Sequence, residues 1–390
     1  MPLGADQIIL TRDPGAIWFE PDAVLLTLIV CCAQVDEIDN TAIERSLTVD
    51  PLCLNPNVTV PASRELSWEP ESDNTVCQAS HFVTIRWLGR PHIVVVGSAN
   101  IDLTTFTDEI PRPGETIFGR EFSLGFGGKG ANQAFASRLC GADVSMIARV
   151  GDDLFGEATV RNFEAAGIDA SRVLVTPGVS SGVAPIFVDS SGQNRILVVK
   201  GANDRLSRSD VDADALRRAD MVVLQLEIPL ETVYHTLRLA RSLGVRTILN
   251  PAPGQSIDLR EAANADYVIP NETEAEALTG IAVHDLESAR ACVRHLMDAG
   301  LHRVIVTLGG NGALCGMDHY AAFPVQPIDT TGAGDAFIGS FACFLAEGLS
   351  EADAIRRANL YAALSTLAVG TQKSFVTRDK FEGEWISRHG

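Results

Sequence analysis

The stretch DTTGAGDAF, residues 329 to 337, combines a glycine-rich turn with a single carboxylate at the start of a helix-like run. The glycines let the backbone N–H groups of residues 332 to 335 turn inward, and a helix beginning near Asp335 adds a partial positive charge. These groups predict an anion hole suited to a phosphoryl group in transfer. The carboxylate is well placed to accept the proton of an attacking hydroxyl. On these residues alone, Asp335 as a helix N-cap beside a tight turn is an equally good interpretation.

A second glycine-rich stretch, GFGGKGANQA (125–134), matches the pattern G-x-G-x-x-G. A dinucleotide site is not indicated, because the stretch does not follow the first strand and no acidic residue closes a βαβ unit about 20 residues later. The pattern instead offers close backbone approach and the amide of Asn132 at a helix start, which suit vicinal hydroxyls. A hairpin-to-helix junction without a ligand is the alternative.

Strand-like and helix-like runs alternate from residue 91 onward, and several of the strand-like runs are apolar throughout, as in HIVVVG (92–97) and RVIVTLGG (303–310). This alternation predicts an α/β fold with a doubly wound, mostly parallel sheet and helices on both faces. Two β-rich segments, GETIFGREFSLGFG (114–127) and the hairpin-like 181–201, interrupt it. We expect lid segments at about 101–127 and 181–201 to form a small β-sheet over a site at the carboxyl ends of the strands.

The composition excludes several classes of function. The formal net charge of −19 over 390 residues argues against general nucleic-acid binding, because a polyanion would be repelled. The sequence contains no apolar run of 18 or more residues, so we expect no membrane span. The eight cysteines include no CxxC pair and indicate reduced thiols in the cytoplasm.

Residues 1–90 differ in composition from the rest of the chain, with no lysine and frequent prolines. Their apolar run AVLLTLIVCCA (23–33) follows Glu20 and Asp22, where a signal peptide would carry positive charge. We expect a poorly ordered extension, or sequence upstream of the true start, ahead of the α/β body at 91–390. Docking of its tryptophans on the body is the alternative.

The motifs GSANID, GGKGANQA, VGDDLFGE, QLEIP, NPAPG, NETEAEALTG, TLGGNG and DTTGAGDAFIGS occur in that order. Over residues 91 to 378 the sequence thereby resembles the ribokinase-like (PfkB) family of carbohydrate kinases. The resemblance implies phosphoryl transfer from ATP, with Mg²⁺, to the hydroxymethyl group of a small sugar. It also implies a β-sheet lid that mediates a homodimer.

The resemblance implies a role for each matching residue. Asp335 would be the catalytic base, and the N–H groups of Gly332, Ala333 and Gly334 would form the anion hole. Besides Asp335, the residues expected to bind sugar hydroxyls are Asn100, Asp102, Gly128, Lys129, Asn132 and Glu227. A carboxylate such as Asp102 can accept two hydroxyl donors, which is what a diol presents.

For the nucleotide, the resemblance implies that Asn271 and Glu274 support the Mg²⁺–phosphate region, the glutamate through water. Their stretch NETE also has the pattern of a helix cap. The residues expected to line the nucleotide are Thr307, Gly309 and Gly312, with Asn359 near adenine.

A monovalent cation, K⁺, is also implied near Asp329 and the carbonyl of Thr331. The remaining positions that match this site are Ser365, Ala368, Gly370 and Ser374. The family often has GAQPS where this chain has GTQKS. The charge of Lys373 therefore predicts a weakened dependence on K⁺.

Three functions remain open on the sequence. The first is a kinase that converts D-ribose to ribose 5-phosphate, favoured because the polar groups suit a small polyol and no obvious aromatic platform for a base is present. The second is a related kinase for deoxyribose, fructose, a nucleoside or a sugar acid. The third is a non-catalytic sugar sensor, which the intact Asp335 and its glycines disfavour.

Overall fold

The computed structural model describes residues 90–191 and 193–389, together with two strands of the preceding segment. The chain divides into two compact units, Met1–Gly89 and Arg90–Gly390. In the first unit, strands β1 (Leu26–Val30) and β2 (His81–Ile85) pair in antiparallel fashion. The expectation of a poorly ordered extension otherwise concerns residues that lie outside the described ones.

The described part of the second unit is built on a nine-stranded sheet. Its strands are β3 (His92–Val96), β6 (Asp143–Gly151), β7 (Asp169–Thr176), β10 (Met221–Leu224), β11 (Arg246–Leu249), β12 (Tyr267–Val268), β13 (Arg303–Thr307), β14 (Ala313–Cys315) and β15 (Asp318–Tyr320). Their spatial order is β7-β6-β3-β10-β11-β12-β13-β14-β15. All neighbours from β7 to β13 pair in parallel, whereas β14 and β15 add an antiparallel edge. The predicted doubly wound, mostly parallel sheet is confirmed.

Helices connect these strands or follow the last of them. They are α1 (Lys129–Leu139), α2 (Leu154–Ala165), α3 (Ala213–Leu216), α4 (Leu230–Leu243), α5 (Leu259–Ala262), α6 (Glu272–Thr279), α7 (Leu286–Asp298), α8 (Ala333–Ala346), α9 (Glu351–Ser365) and α10 (Arg378–His389). Several begin at a polar cap, as when the side chain of Asp153 accepts a hydrogen bond from the N–H of Gly156 at 2.8 Å. Among the described residues, no helix is both long enough and apolar enough to cross a bilayer.

The hydrophobic core occupies both faces of the large sheet. In β3, Ile93 and Val95 pack into one buried cluster and Val94 and Val96 into the other, because successive side chains of a strand point to opposite faces. Each fully buried side chain of this kind contributes about 1.5–3 kcal/mol. This two-sided burial explains why the strand has no polar alternation.

A second, four-stranded sheet projects from the body. Its strands are β4 (Asn100–Phe106), β5 (Glu121–Gly127), β8 (Gly182–Val188) and β9 (Asn194–Ile196), in the order β5-β4-β8-β9. The central pair β4–β8 is parallel and the outer pairs are antiparallel. The β-rich segment predicted at 114–127 forms a strand only from Glu121. The loop before it contains Pro111 and Pro113, which supply no N–H group to a ladder.

The two sheets meet at the point where the order of the large sheet reverses. From β3 the chain passes to β6 and β7 on one side, and it later returns to β10 on the other side. Connections that leave β3 and β10 in opposite directions open a crevice at the carboxyl ends of these strands. Strand β4 begins only three residues after β3 ends, so the small sheet starts at this crevice.

Candidate active site

Asp335 lies in the first turn of α8, at the crevice. The N-cap of this helix is Gly332, with φ +79°, so Asp335 is the third helical residue and not the cap. A Cβ atom at Gly332 would lie 2.7 Å from Cγ2 of Thr371, which makes glycine necessary there. The N–H of Ala333 donates to the carbonyl of Thr330 at 3.2 Å. The N–H groups at the start of a helix otherwise have no intrahelical acceptor and are available to an anion.

Two side-chain amides hold the carboxylate of Asp335, which is 6% exposed. Nδ2 of Asn132 donates to Oδ2 at 3.0 Å, and Nε2 of Gln133 donates to Oδ1 at 2.9 Å. Burial raises the pKa of Asp335, whereas the charge of Lys129 and the two amide donors oppose that rise. The group is thus a buried carboxylate with fixed orientation and increased basicity.

Asn100 and Asp102 approach the site from the small sheet, on β4. Oδ1 of Asn100 accepts a hydrogen bond from Nδ2 of Asn203 at 2.7 Å. The carboxylate of Asp102 lies over Gly127, where a Cβ atom would come within 2.4 Å of both its oxygens. Burial, followed by the negative charges of Glu227 and Asp335, raises the pKa of Asp102 to about 7. These electrostatic effects indicate that the small sheet and the body share one site.

Glu227 follows β10 and faces the residues that follow β3. Its Oε2 accepts hydrogen bonds from the hydroxyl of Ser98 at 2.5 Å and from the N–H of Lys129 at 3.0 Å. The turn before Lys129 depends on Gly128, with φ +88°, where a Cβ atom would lie 2.7 Å from the backbone nitrogen of Asn100. The predicted sugar-binding residues from three separate motifs are therefore neighbours.

Lys129 supplies the positive charge of this acidic cluster. Its burial disfavours the ammonium form, but the fields of Asp335, Glu227 and Glu274 outweigh that effect and raise its pKa. One cation among these three carboxylates remains charged and partly balances them. The same cation is suitably placed to attract an anionic substrate group.

The predicted Mg²⁺ region is a helix cap in the structure. Asn271 is the N-cap of α6, where its Oδ1 accepts the N–H of Glu274 at 2.8 Å, and Oε2 of Glu274 accepts the N–H of Asn271 at 2.9 Å. Burial raises the pKa of Glu274, although the Asn271 N–H and the charge of Lys129 oppose the rise. The stretch NETE is therefore a capping box, and it contributes a buried carboxylate to the crevice.

The predicted nucleotide residues lie beyond β13. Thr307 ends this strand and forms a bridge with Asn271, and Gly309 and Gly312 have positive φ in the turn that follows. Nδ2 of Asn359 donates to the carbonyls of Tyr320 at 3.0 Å and Ala321 at 3.2 Å. Both amide hydrogens of Asn359 are thus used, and only its Oδ1 could accept from an adenine amino group.

The residues predicted for a monovalent cation belong to two adjacent loops and, for Ser365, to the end of α9. Oδ1 of Asp329 accepts the N–H of Thr331 and its Oδ2 accepts the N–H of Gly370, both at 2.9 Å. Partial burial acts to raise the pKa of Asp329, but the hydrogen bonds from Gly370 and Thr331 outweigh it and hold the pKa below its usual value. The hydroxyls of Ser365 and Ser374 donate to the nearby carbonyls of Ala362 and Thr371. Lys373 is exposed, and Ala368 lies in the same loop.

Sequence reasoning missed four polar residues that contact the predicted ones and a fifth, Gln225, that contacts one of those four. They are Ser98, Gln133, Asn203, Gln225 and Asn250. Four of the five stand inside motifs that were recognised, next to residues that were assigned. Their position within a motif, rather than their residue type, was the sequence signal that could have identified these residues.

The chain matches known proteins over most of its length. Residues 90–378 match the family model described as pfkB family carbohydrate kinase. The chain is 44% identical over 302 residues to a deoxyribokinase of Salmonella typhi, covering 76% of this chain and 98% of that protein. It is 38% identical to a ribokinase of Mus musculus, covering 73% and 91% respectively. The solved structure of Arabidopsis thaliana ribokinase complexed with ribose and ATP superposes with a TM-score of 0.71 at 30% identity, covering 76% and 98%.

Proposed function

Because the chain belongs to the pfkB family of carbohydrate kinases, we propose that it transfers the γ-phosphoryl group of ATP to the hydroxymethyl group of D-ribose. One observation carries the proposal: Asp335 is a buried, amide-held carboxylate at the N-terminus of α8. It lies within the electrostatic reach of Asp102, Glu227 and Lys129. A base, an anion-binding helix terminus and acceptors for sugar hydroxyls are the parts that this transfer requires.

In the proposed reaction, the sugar hydroxyl oxygen attacks the γ-phosphorus of ATP. The bond from that phosphorus to the β,γ-bridging oxygen breaks, ADP leaves, and the hydroxyl proton passes to Asp335. The raised pKa of Asp335 makes it a stronger base than an ordinary aspartate. The N–H groups of Gly332 and Gly334 bind the charge on the transferring group.

The acidic groups near α6 fit a Mg²⁺ ion held through water. Both oxygens of Glu274 already accept hydrogen bonds from Asn271. A carboxylate has about four acceptor positions, so Glu274 can still bind the water of a hydrated ion. When bound with ATP, the ion neutralises charge on the β- and γ-phosphates.

The oxygen-rich pair of loops around Asp329 fits a K⁺ ion. A carboxylate and backbone carbonyls are hard oxygen donors, as an alkali cation requires. The ion would strengthen the positive field beside the helix terminus. Because Lys373 is exposed, solvent screens its charge, and we expect K⁺ activation to persist in reduced form.

Deoxyribose is the second candidate acceptor, favoured by the 44% identity to a deoxyribokinase. The experiment is a panel of sugars with ATP and coupled ADP release, read as kcat/KM. A site that hydrogen-bonds a substrate hydroxyl rejects the analogue without it by up to about 10⁴–10⁵-fold. A strong preference for ribose supports our proposal, and equal or better use of deoxyribose supports the second candidate. No turnover with any sugar would contradict both.

The outer part of the small sheet is proposed as the contact of a homodimer. Its exposed apolar side chains include Phe122, Leu124 and Phe187, which lie on the face opposite Asp102. Clustered exposed apolar groups of this size are typical of protein contacts. Sedimentation of the wild type and of Phe122→Ser would test the proposal, and a wild-type monomer would contradict it.

A further inference from the structure

Two buried side-chain amides connect Asp335 to Glu274, and a third bonds one of them. Gln133, on α1, donates from Nε2 both to Oδ1 of Asp335 at 2.9 Å and to Oδ1 of Asn250 at 3.1 Å. Asn250 donates from Nδ2 to Oε2 of Glu274 at 3.3 Å. The third amide, of Gln225, donates to Oε1 of Gln133 at 2.6 Å. The chain of hydrogen bonds thus runs from the proposed base to the proposed Mg²⁺ region.

The hydrogen-bond partners permit one orientation of each amide. Both hydrogens of Nε2 of Gln133 are used, and its oxygen accepts from Gln225. A flipped Gln133 would place its oxygen against two acceptors, the Asp335 carboxylate and the Asn250 carbonyl. Asn250 is fixed in the same way, because its other hydrogen goes to the carbonyl of Ile269 at 2.9 Å.

The orientation of Gln225 leaves its own side-chain oxygen without a hydrogen-bond partner. Its Oε1 is the one buried side-chain oxygen or nitrogen among the described residues that has no hydrogen-bond partner. Gly97 makes room for that oxygen, because a Cβ atom there would lie 2.0 Å from it. Rotating the Gln225 amide by 180° would place its oxygen against Oε1 of Gln133, so that Gln133 would lose its donor. The donor of Gln225 thus holds Gln133 in the orientation that directs its Nε2 group at Asp335 and Asn250.

These contacts divide the two oxygens of Asp335 between different tasks. Oδ1 is held by Gln133 in the interior, whereas Oδ2 is held by Asn132, a predicted sugar-binding residue. Gln133 therefore aims the carboxylate without touching the sugar region. Because its donor stabilises the ionised form, it also opposes the effect of burial on the pKa of Asp335.

Resting on the proposed kinase function, we propose that Gln133 is a positioning residue for Asp335 and that the Gln133–Asn250 pair couples Asp335 to Glu274. A shift of Glu274 on nucleotide binding moves Asn250, and the shared Nε2 group of Gln133 passes the change to Oδ1 of Asp335.

The test uses the full-length protein and the variants Gln133→Met and Asn250→Leu, which keep side-chain size and remove the amide. Turnover, KM and the pH dependence of kcat are measured with the best sugar, and sugar binding is measured by calorimetry. For Gln133→Met we expect kcat to fall about 10–100-fold, because misplacement of a catalytic group by about 1 Å can cost 10²-fold. Sugar affinity should stay within about threefold.

The pH profile separates positioning from a packing defect. Loss of a donor to the carboxylate raises its pKa, so the acidic limb of kcat should move to higher pH in Gln133→Met. The isosteric Gln133→Glu should move the limb further, because two carboxyl groups then share one site. Ser137→Ala is the matched control: this residue lies one turn along α1, and its hydroxyl donates to the backbone carbonyls of Gln133 and Gly339 but touches neither the Gln133 amide nor Asp335. Its acidic limb should not move.

Coupling is tested by combining the two amide variants. If the amides act as one unit, the double variant should lose little more kcat than Gln133→Met alone. Fully additive losses would overturn the coupling. Wild-type kcat and pH profile in Gln133→Met, or equal losses of kcat and sugar affinity without a moved limb, would overturn the positioning role. An inactive wild type with all sugars would instead refute the proposed function.

Discussion

Replacement of Asp102 by asparagine is expected to stabilise the protein without ligand while weakening its binding of the sugar. Burial with Glu227 and Asp335 nearby raises the pKa of Asp102 from 3.8 to about 7. Since 1.36 kcal/mol corresponds to one pKa unit, the ionised carboxylate costs the folded state roughly 4 kcal/mol. Asp102 binds its proton more tightly in the folded than in the unfolded state. The protein is therefore most stable below about pH 4, and its free energy of unfolding falls by this amount as the pH rises from about 4 to 7.

The amide of Asp102→Asn is neutral at every pH and avoids this loss. The free energy of unfolding of the variant, relative to the wild type, should therefore increase between pH 4 and pH 7 by up to roughly 4 kcal/mol and stay constant above. Tm measured without sugar at pH 8 should be several degrees higher than that of the wild type. Asp108→Asn, an exposed carboxylate paired with Arg120, is the control and should change Tm little.

Sugar binding should change in the opposite direction. In the wild type, the ionised fraction of Asp102 rises from about one tenth at pH 6 to about nine tenths at pH 8, so KM for ribose should fall about tenfold over that range. In Asp102→Asn the KM should be at least tenfold higher at pH 8, since a charge-assisted hydrogen bond is worth roughly 1–3 kcal/mol. An unchanged Tm difference from pH 4 to pH 8, or a wild-type KM independent of pH, would refute the reasoning.

Three further predictions concern the base, the cation and the extension. Asp335→Asn should lower turnover by about 10²–10⁴-fold while sugar and nucleotide still bind; more than about a tenth of wild-type turnover would contradict the role of Asp335 as base. Phosphorylation should be faster in KCl than in choline chloride at matched ionic strength, and Lys373→Pro should increase that ratio; equal rates in both salts for both proteins would exclude a cation at Asp329. A chain starting at Arg90 should be as active as the full chain, and limited proteolysis should cut before residue 90; an inactive or insoluble product would show that the extension is a structural part of the enzyme.

The large sheet could be predicted because its signal is local. A run such as HIVVVG is apolar at every position, which only a strand buried on both faces requires. The strand predicted from Gly114 was wrong in its first seven residues: the composition there resembles a strand, but ladder pairing with β4 begins at Glu121. The local sequence pattern thus indicates a strand, but it does not show whether a neighbouring strand is present to pair with it.

The site residues that stand within one motif were predicted from the sequence. Those whose role depends on contacts with residues distant in the chain were missed. Asp335 and its glycines stand in one short stretch, so the helix terminus was visible in the sequence. Gln133 and Asn250 are 117 residues apart and meet only because β11 lies next to β10 in the sheet. Neither residue type nor spacing indicates that contact, which depends on strand order.

The position of Asn100 and Asp102 on β4 has a consequence for the use of ATP in the absence of sugar. These groups belong to the small sheet, while Asp335 belongs to helix α8, which packs on the large one. Any displacement of the small sheet removes a negative charge from the surroundings of Asp335 and opens the crevice to water. Productive alignment and exclusion of water therefore arise together when a sugar bridges the two sheets. We expect futile hydrolysis of ATP to be slow for this reason, since water cannot bridge Asp102 and Asp335 as a polyol does.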